Sequence, residues 1–205
     1  MTERIKKSRD IPIIWGGVHP TVRPEECLKY ADMVCIGDGE EAILELADTM
    51  EKGDDYSNIQ NLWLRSQGNI IKNPLRPLTY DLDVYPIPDY SYEDHHIMFD
   101  GHITPLTPEL TKYFLEKGTV SASLQKIGYQ TMVGRGCPHK CSYCINDAIK
   151  SLYTGQKYLR WRSTAHVMQE LLWVKKHIPY IEYIWISDDA FFARNKKELE
   201  EFCTE

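Results

Sequence analysis

Three of the six cysteines in this 205-residue sequence fall within eight residues, as Cys137-Pro-His-Lys-Cys141-Ser-Tyr-Cys144. Thiolates spaced by three and then two residues can wrap one small inorganic centre from a single loop, leaving a fourth coordination position free. An iron–sulfur cluster with one open iron would bind and activate a small molecule at that position. Zinc is the rival: a structural zinc site wants four ligands, so His139 or a distant residue would have to complete it. A second paired-cysteine knuckle is missing, and Cys203 is remote in a predicted helix. Three ordinary buried thiols are the third reading, and spacing alone leaves all three open.

The rest of the composition narrows the setting. Hydrophobic residues make up 42% and charged residues 26%, as in ordinary globular chains, which excludes a disordered polypeptide, a collagen repeat or a disulfide-stapled mini-protein. No apolar run reaches the roughly 18–20 residues of a membrane span. The basic N-terminus has no apolar stretch behind it, so it is not a secretory signal. A cytoplasmic protein is therefore expected, and in that compartment a cysteine cluster points to metal or redox chemistry before disulfides. The net charge of −6 argues against whole-surface attraction to nucleic acid or anionic lipid. Locally the balance reverses: six basic residues between Arg135 and Arg162 face one acid, Asp147, which suits either a solvated basic face or a site for an anionic ligand.

The elements that must position the cysteines read as α/β. Ile11–Trp15 forms an apolar run ending at Gly16-Gly17, and Met33–Ile36 a second one closed by Gly37-Asp-Gly39. Pro24-Glu-Glu starts one helix, and Ile43, Leu46, Ala47 and Met50 form the apolar stripe of another. Alternating strands and helices with short connections imply parallel strands. Leu62–Leu64 and Ile70-Ile71 flank Gln67-Gly-Asn69 as a small hairpin. Six prolines between Pro74 and Pro108 break up the next stretch, whose tyrosines and phenylalanines mark an ordered linker with a short helix near Leu110–Glu116. A second α/β section then begins. Tyr129–Val133 is a strand, Ser163 caps a helix with an apolar face of Val167, Met168, Leu171, Leu172 and Val174, and Ile181–Ile186 reads as a central parallel strand. Asp188 and Asp189 stand at its C-terminal end, where parallel sheets bind ligands. A last helix runs from about Lys196 to Phe202. The expected divisions are 1–75, a partial α/β domain with a hairpin; 76–128, the linker; and 129–205, the second α/β section.

The segment Thr131-Met-Val-Gly-Arg-Gly-Cys-Pro-His-Lys-Cys-Ser-Tyr-Cys144 resembles the signature of radical S-adenosylmethionine (radical SAM) enzymes. The resemblance covers about 129–205. It implies that Cys137, Cys141 and Cys144 hold a 4Fe–4S cluster after the first strand of a partial (β/α) barrel. Tyr143 takes the place of the aromatic residue that precedes the last cysteine. The fourth iron would chelate S-adenosylmethionine, whose one-electron cleavage gives methionine and a 5′-deoxyadenosyl radical. Where many members have Gly-Gly-Glu after the second barrel strand, this sequence has Ser187-Asp-Asp189, making Asp188 and Asp189 candidates for the methionine ammonium. Arg160-Trp-Arg-Ser163 resembles a stretch before the first long helix in one branch of the family, its arginines facing the cluster or the solvent.

Ile13-Ile-Trp-Gly-Gly-Val-His-Pro-Thr21 with Cys35-Ile-Gly-Asp-Gly-Glu-Glu41 resembles the later strands of a cobalamin-binding domain, and Leu82–Asp89 the linker that follows one. The cofactor contacts so implied are Gly16, Gly17, His19, Thr21, Gly37, Gly39 and Glu40, with His19 a turn residue and not a cobalt ligand. The lower-ligand pattern Asp-x-His-x-x-Gly of such domains is absent; Asp100-Gly-His102 has its first three positions but Pro105 in place of the glycine. His95-His96 reads as surface.

The fold class implied is α/β: the C-terminal part of a Rossmann-like cobalamin-binding domain, then the first βα units of a partial radical SAM barrel. The implied activity is cobalamin-dependent radical modification of a small molecule, such as methyl transfer or ring formation. Its cofactors are a 4Fe–4S cluster, S-adenosylmethionine and cobalamin, its electron donor is of the flavodoxin or ferredoxin kind, and nucleic acid is no partner. The alternatives are a methylthiotransferase-type radical SAM enzyme without cobalamin and a non-enzymatic zinc-binding module. The motif order also predicts a piece that enters partway through one cofactor domain and stops early in the next, poorly stable and without turnover alone.

Overall fold

The two apolar runs flanking the first turns become the parallel pair of a small sheet in the computed structural model, which describes residues 1–204. Two units are interleaved along the chain: Met1–Leu78 with His139–Tyr158, and Thr79–Pro138 with the stretch from Leu159 on. In the first unit α1 (Thr2–Ser8) precedes β1 (Ile14–Trp15), α2 (Val18–Val22), α3 (Pro24–Cys27), β2 (Met33–Cys35), α4 (Glu40–Lys52), β3 (Leu62–Ser66) and β4 (Asn69–Lys72). The sheet order is β1-β2-β3-β4, with β1 and β2 parallel and the other pairs antiparallel. The β3–β4 hairpin turns through Gln67 and Gly68, both at positive φ, as a two-residue turn matched to strand twist requires.

Strand β2 is buried on both faces. Met33 and Cys35 pack with Ala42 and Leu46 of α4, and Val34 packs with Cys27 and Leu28. The apolar stripe expected on α4 is corrected here. Ala42 and Leu46 are its buried residues, while Ile43, Ala47 and Met50 are exposed. The small Ala42, one turn before Leu46, lets the helix lie close to the sheet, and that contact fixes the inward face.

The second unit opens with β5 (His96–Phe99) and β6 (His102–Pro105), a hairpin inside the stretch expected to be linker. Asp100-Gly101, both at positive φ, is its turn. Then follow α5 (Pro108–Lys117), capped by Thr107, α6 (Thr119–Leu124), β7 (Gly128–Thr131) and β8 (Gly134–Arg135). The chain returns to the first unit for α7 (Ile145–Leu152). It ends in the second with β9 (Arg160–Trp161), α8 (Thr164–His177), β10 (Tyr183–Ile186) and α9 (Lys196–Thr204). Strands β7 and β10 pair in parallel, and β8 pairs with β9. The central position expected of β10 is not what the described residues show: β7 is its one ladder partner among them, and Ile184 and Trp185 are exposed.

Helix α8 departs from expectation in an informative way. Its buried face is Thr164, Val167, Glu170 and Val174, whereas Leu172 is exposed. Glu170, only 1% exposed, accepts hydrogen bonds from Tyr129 Oη (2.6 Å) and Thr131 Oγ1 (2.7 Å) on β7 and pairs with Arg162 (2.5 Å). A charge can sit in an apolar stripe when its partners satisfy it this fully. Burial pushes the carboxyl up, but the hydrogen bonds from Tyr129, Thr131 and Arg162, with the arginine's charge, bring it below its usual value. The carboxylate's contribution to stability is therefore full above about pH 4.3, the unfolded value, and is lost as pH falls through the lower folded value. Replacing Glu170 with Gln should cost about 3–5 kcal/mol at pH 7, because Arg162 is left as an uncompensated buried charge. Denaturant titrations at pH 7 and pH 3 should show that gap narrowing in acid.

Candidate functional site

In the first unit the predicted cofactor contacts gather at the C-terminal ends of the parallel strands β1 and β2. Thr21 ties the two turns together: its hydroxyl donates to Gly17 O (2.8 Å) and accepts from Gly37 N (3.0 Å). Cys35 lies under both, its Cβ 3.9 Å from a side chain built at Gly16 and its Sγ 3.3 Å from one built at Gly39. Gly17 has a φ of 94° and nothing within 4 Å of the place a Cβ would take, so a ledge of bare backbone stands open above β1. Such a ledge admits the close approach of a cofactor tail, and in that respect Gly16 and Gly17 fit a cobalamin, while Thr21 is buried and Gly39 faces Cys35 Sγ. Gly37 differs, because its missing side chain would overlap Tyr153 Oη, which accepts from Asp38 N (3.4 Å). His19 is exposed beside Glu26 at 3.8 Å, and Glu40 begins α4.

Tyr153 belongs to the segment that follows the cysteine motif. Cys144 is the N-cap of α7, and its backbone N–H donates to Cys141 O (2.9 Å), closing a tight turn around Ser142 and Tyr143. Cys144 Sγ accepts from Asn146 Nδ2 at 3.6 Å, and Asn146 Oδ1 accepts from Tyr158 Oη at 3.1 Å. Cys141 is exposed and Tyr143 is 91% exposed; a hydrogen bond with the Cys141 sulfur pushes the Tyr143 phenol up. Cys137 is buried in the other unit, just after β8. Among the described residues no three His, Cys, Asp or Glu side chains are gathered closely enough to grip a metal ion. The donor chemistry nonetheless fits an iron–sulfur cluster: all three thiols are free, and one already receives an N–H bond of the kind that orients a sulfur ligand.

The second unit holds a cleft of about 500 Å³ at the C-terminal ends of β7 and β10, lined by Thr131, Arg135, Arg162, Glu170 and Ser187 and by Tyr85 and Tyr90. Asp188 lies at the same strand ends but is engaged by the backbone, accepting from Val133 N (2.7 Å) and Gly134 N (3.2 Å) through Oδ1. Its Oδ2 is buried without a partner, and burial pushes the carboxyl up despite the two amide bonds. Asp189 is exposed. Arg160 and Arg162 do not face solvent: Arg160 is buried and donates to Thr79 O (2.9 Å), and Arg162 serves Glu170. Sequence reasoning missed Tyr153 and Asn146, which carry no local signal. It also missed Glu170, for which an acid in the Val167–Val174 stripe was a readable sign.

The sheets and the strand-end sites define an α/β protein of two units. Residues 1–47 match the B12 binding domain family. Over 198 residues the chain is 29% identical to an uncharacterised methyltransferase of Pyrococcus horikoshii, covering 94% of this chain and 36% of that protein. It is 26% identical to the anaerobic magnesium-protoporphyrin IX monomethyl ester cyclase of a Synechocystis species, covering 93% and 33%. The chain thus spans about a third of the length of these curated relatives. Among solved structures it superposes on the radical S-adenosylmethionine methyltransferase TsrM of Kitasatospora setae (TM-score 0.61, 18% identity, 98% of this chain and 34% of that one). It also superposes on the cobalamin-dependent S-adenosylmethionine radical enzyme OxsB (TM-score 0.63, 16% identity, 98% and 25%). The chain shares the α/β fold of these two solved structures. No helix among the described residues is long and apolar enough to cross a membrane.

Two outcomes test this geometry. Burial drives the Cys35 thiol up to about 11 and raises that of Cys27, so brief alkylation of the folded chain at pH 7.5 should label Cys141 and Cys203 while Cys27 and Cys35 react only after unfolding. A Gly17→Ala change should cost about 1–3 kcal/mol, because φ 94° with ψ −162° is a backbone region reached essentially by glycine alone. Gly37→Ala should cost more, because it also displaces Tyr153, and a double-mutant cycle with Tyr153→Phe should show coupling between the two sites.

Proposed function

We propose that the chain serves in a cobalamin-dependent radical SAM enzyme, with residues 1–75 on the cobalamin side, 76–128 as linker and 129–205 on the barrel side. The observation that carries this reading is the three-then-two spacing of Cys137, Cys141 and Cys144 in a chain whose Gly16-Gly17 and Gly37–Gly39 turns meet through Thr21. When bound, the cluster and S-adenosylmethionine supply a 5′-deoxyadenosyl radical, and cobalamin supplies a partner for methyl transfer or ring formation. The chain's own part is to hold and to exclude. Cys137, Cys141 and Cys144 would hold the cluster through their thiolates. The bare backbone at Gly16 and Gly17 would seat the cobalamin tail. The second-unit cleft, with arginines beside tyrosine rings, offers charged and apolar walls for a small molecule and shields it from water. Asp189 meets the methionine ammonium, while Asp188 shapes the backbone after β7. A reduced flavodoxin or ferredoxin delivers the electron, in the cytoplasm. No observation favours a methylthiotransferase without cobalamin or a zinc module.

Anaerobic reconstitution with iron and sulfide should give the brown charge-transfer absorbance of a cluster, with about four irons per chain. Replacing all three cysteines with Ala should abolish it. Stoichiometric zinc without sulfide in protein purified anaerobically, or absorbance that survives the triple replacement, would sink the proposal.

A further inference from the structure

We infer that Asn146 raises the reduction potential of the cluster by donating its amide N–H to Cys144 Sγ, and that Tyr158 is the positioning residue that holds that amide in its donating orientation. This rests on the reading of Cys137, Cys141 and Cys144 as cluster ligands. The geometry is specific. Asn146 lies two residues past Cys144, is 8% exposed, and reaches the sulfur at 3.6 Å through Nδ2. A carboxamide has one accepting and one donating end. Tyr158 Oη occupies the accepting end at 3.1 Å, so the donating end is the one turned toward Cys144. Tyr158 stands in the coil after α7 and is itself 9% exposed, so burial holds its hydroxyl against Asn146 on the first turn of the helix.

Reduction of an iron–sulfur cluster places additional negative charge on its sulfur ligands. An N–H dipole aimed at one of them stabilises the reduced form more than the oxidised form and moves the potential upward. The effect is larger where water is excluded, as it is around Asn146 and Tyr158. A buried asparagine with a purely structural role would satisfy its amide elsewhere and would leave the potential alone.

The test is a redox titration of the chain reconstituted anaerobically with iron and sulfide, followed by the loss of visible absorbance and the growth of the reduced-cluster electron paramagnetic resonance signal. Asn146→Leu keeps the bulk and removes the donor without adding a charge, and its midpoint should shift to more negative potential. Tyr158→Phe frees the amide to rotate and should give a smaller shift in the same direction. Ser151→Ala, on the exposed side of α7, should leave the midpoint where it was. If Asn146→Leu loses the cluster altogether, Tyr158→Phe decides the matter. A cluster that forms normally with an unshifted midpoint in the decisive variant overturns the role given to Asn146 while leaving the cluster assignment standing. Failure of the unaltered chain to form any cluster overturns both.

Discussion

The Gly37-Asp38 turn has no room for a side chain, and much of the first unit is arranged around that fact. Thr21 accepts from its first amide, Tyr153 from its second, and Asn61 donates to Asp38 O at 2.7 Å. Asn61 in turn accepts from Arg76 N, which brings the segment after β4 into the same network. A single tight turn thereby joins α2, the β2–α4 connection, the hairpin and the segment after the cysteines. Each group reaching it is a hydrogen-bonding side chain, from α2, from the end of α7 and from the residue before β3, and together they shape the crevice beyond the strands while leaving backbone exposed on the ledge at Gly17.

The second unit is organised differently, around a charge. Glu170 takes the place of an apolar residue on α8 and draws Tyr129, Thr131 and Arg162 toward it. Tyr129 also meets Tyr90 of the linker, and Asp83 accepts from Ser163 N (2.8 Å) while lying 3.6 Å from His166. The proline-rich stretch is therefore ordered by polar contacts at defined points, not by a continuous apolar face. Tyr85 and Tyr90 of this stretch line the cleft together with Arg162, whose field is strengthened by desolvation there.

What could be read from the sequence followed from local chemistry. The glycine turns, the Ser163 cap and the Gln67-Gly68 hairpin are each encoded within a few residues, and each stands where its residues put it. Periodicity did less well: α4 and α8 carry apolar residues on more than one face, so the stripe with the most of them was not the one that packs. In α4 small Ala42 selected the face, and in α8 a charged residue did. The Asp100-Gly101 turn was legible as a hairpin signal but was masked by the prolines around it. Tyr153 and Asn146 were not legible, because their meaning depends on partners brought together by the fold.

The bond from Asp38 N to Tyr153 Oη spans 115 residues of sequence, and this has a consequence for the order in which the molecule assembles. During synthesis β1 to β4 emerge first, yet the turn they share cannot be sealed until the whole of 79–138 and then α7 have left the ribosome. The entropy of closing so long a loop grows only slowly with its length, but the delay is set by translation and by the intervening residues finding their own structure. The nascent first unit therefore waits with its crevice open at Gly37, and becomes complete only when the helix bearing Cys144 arrives.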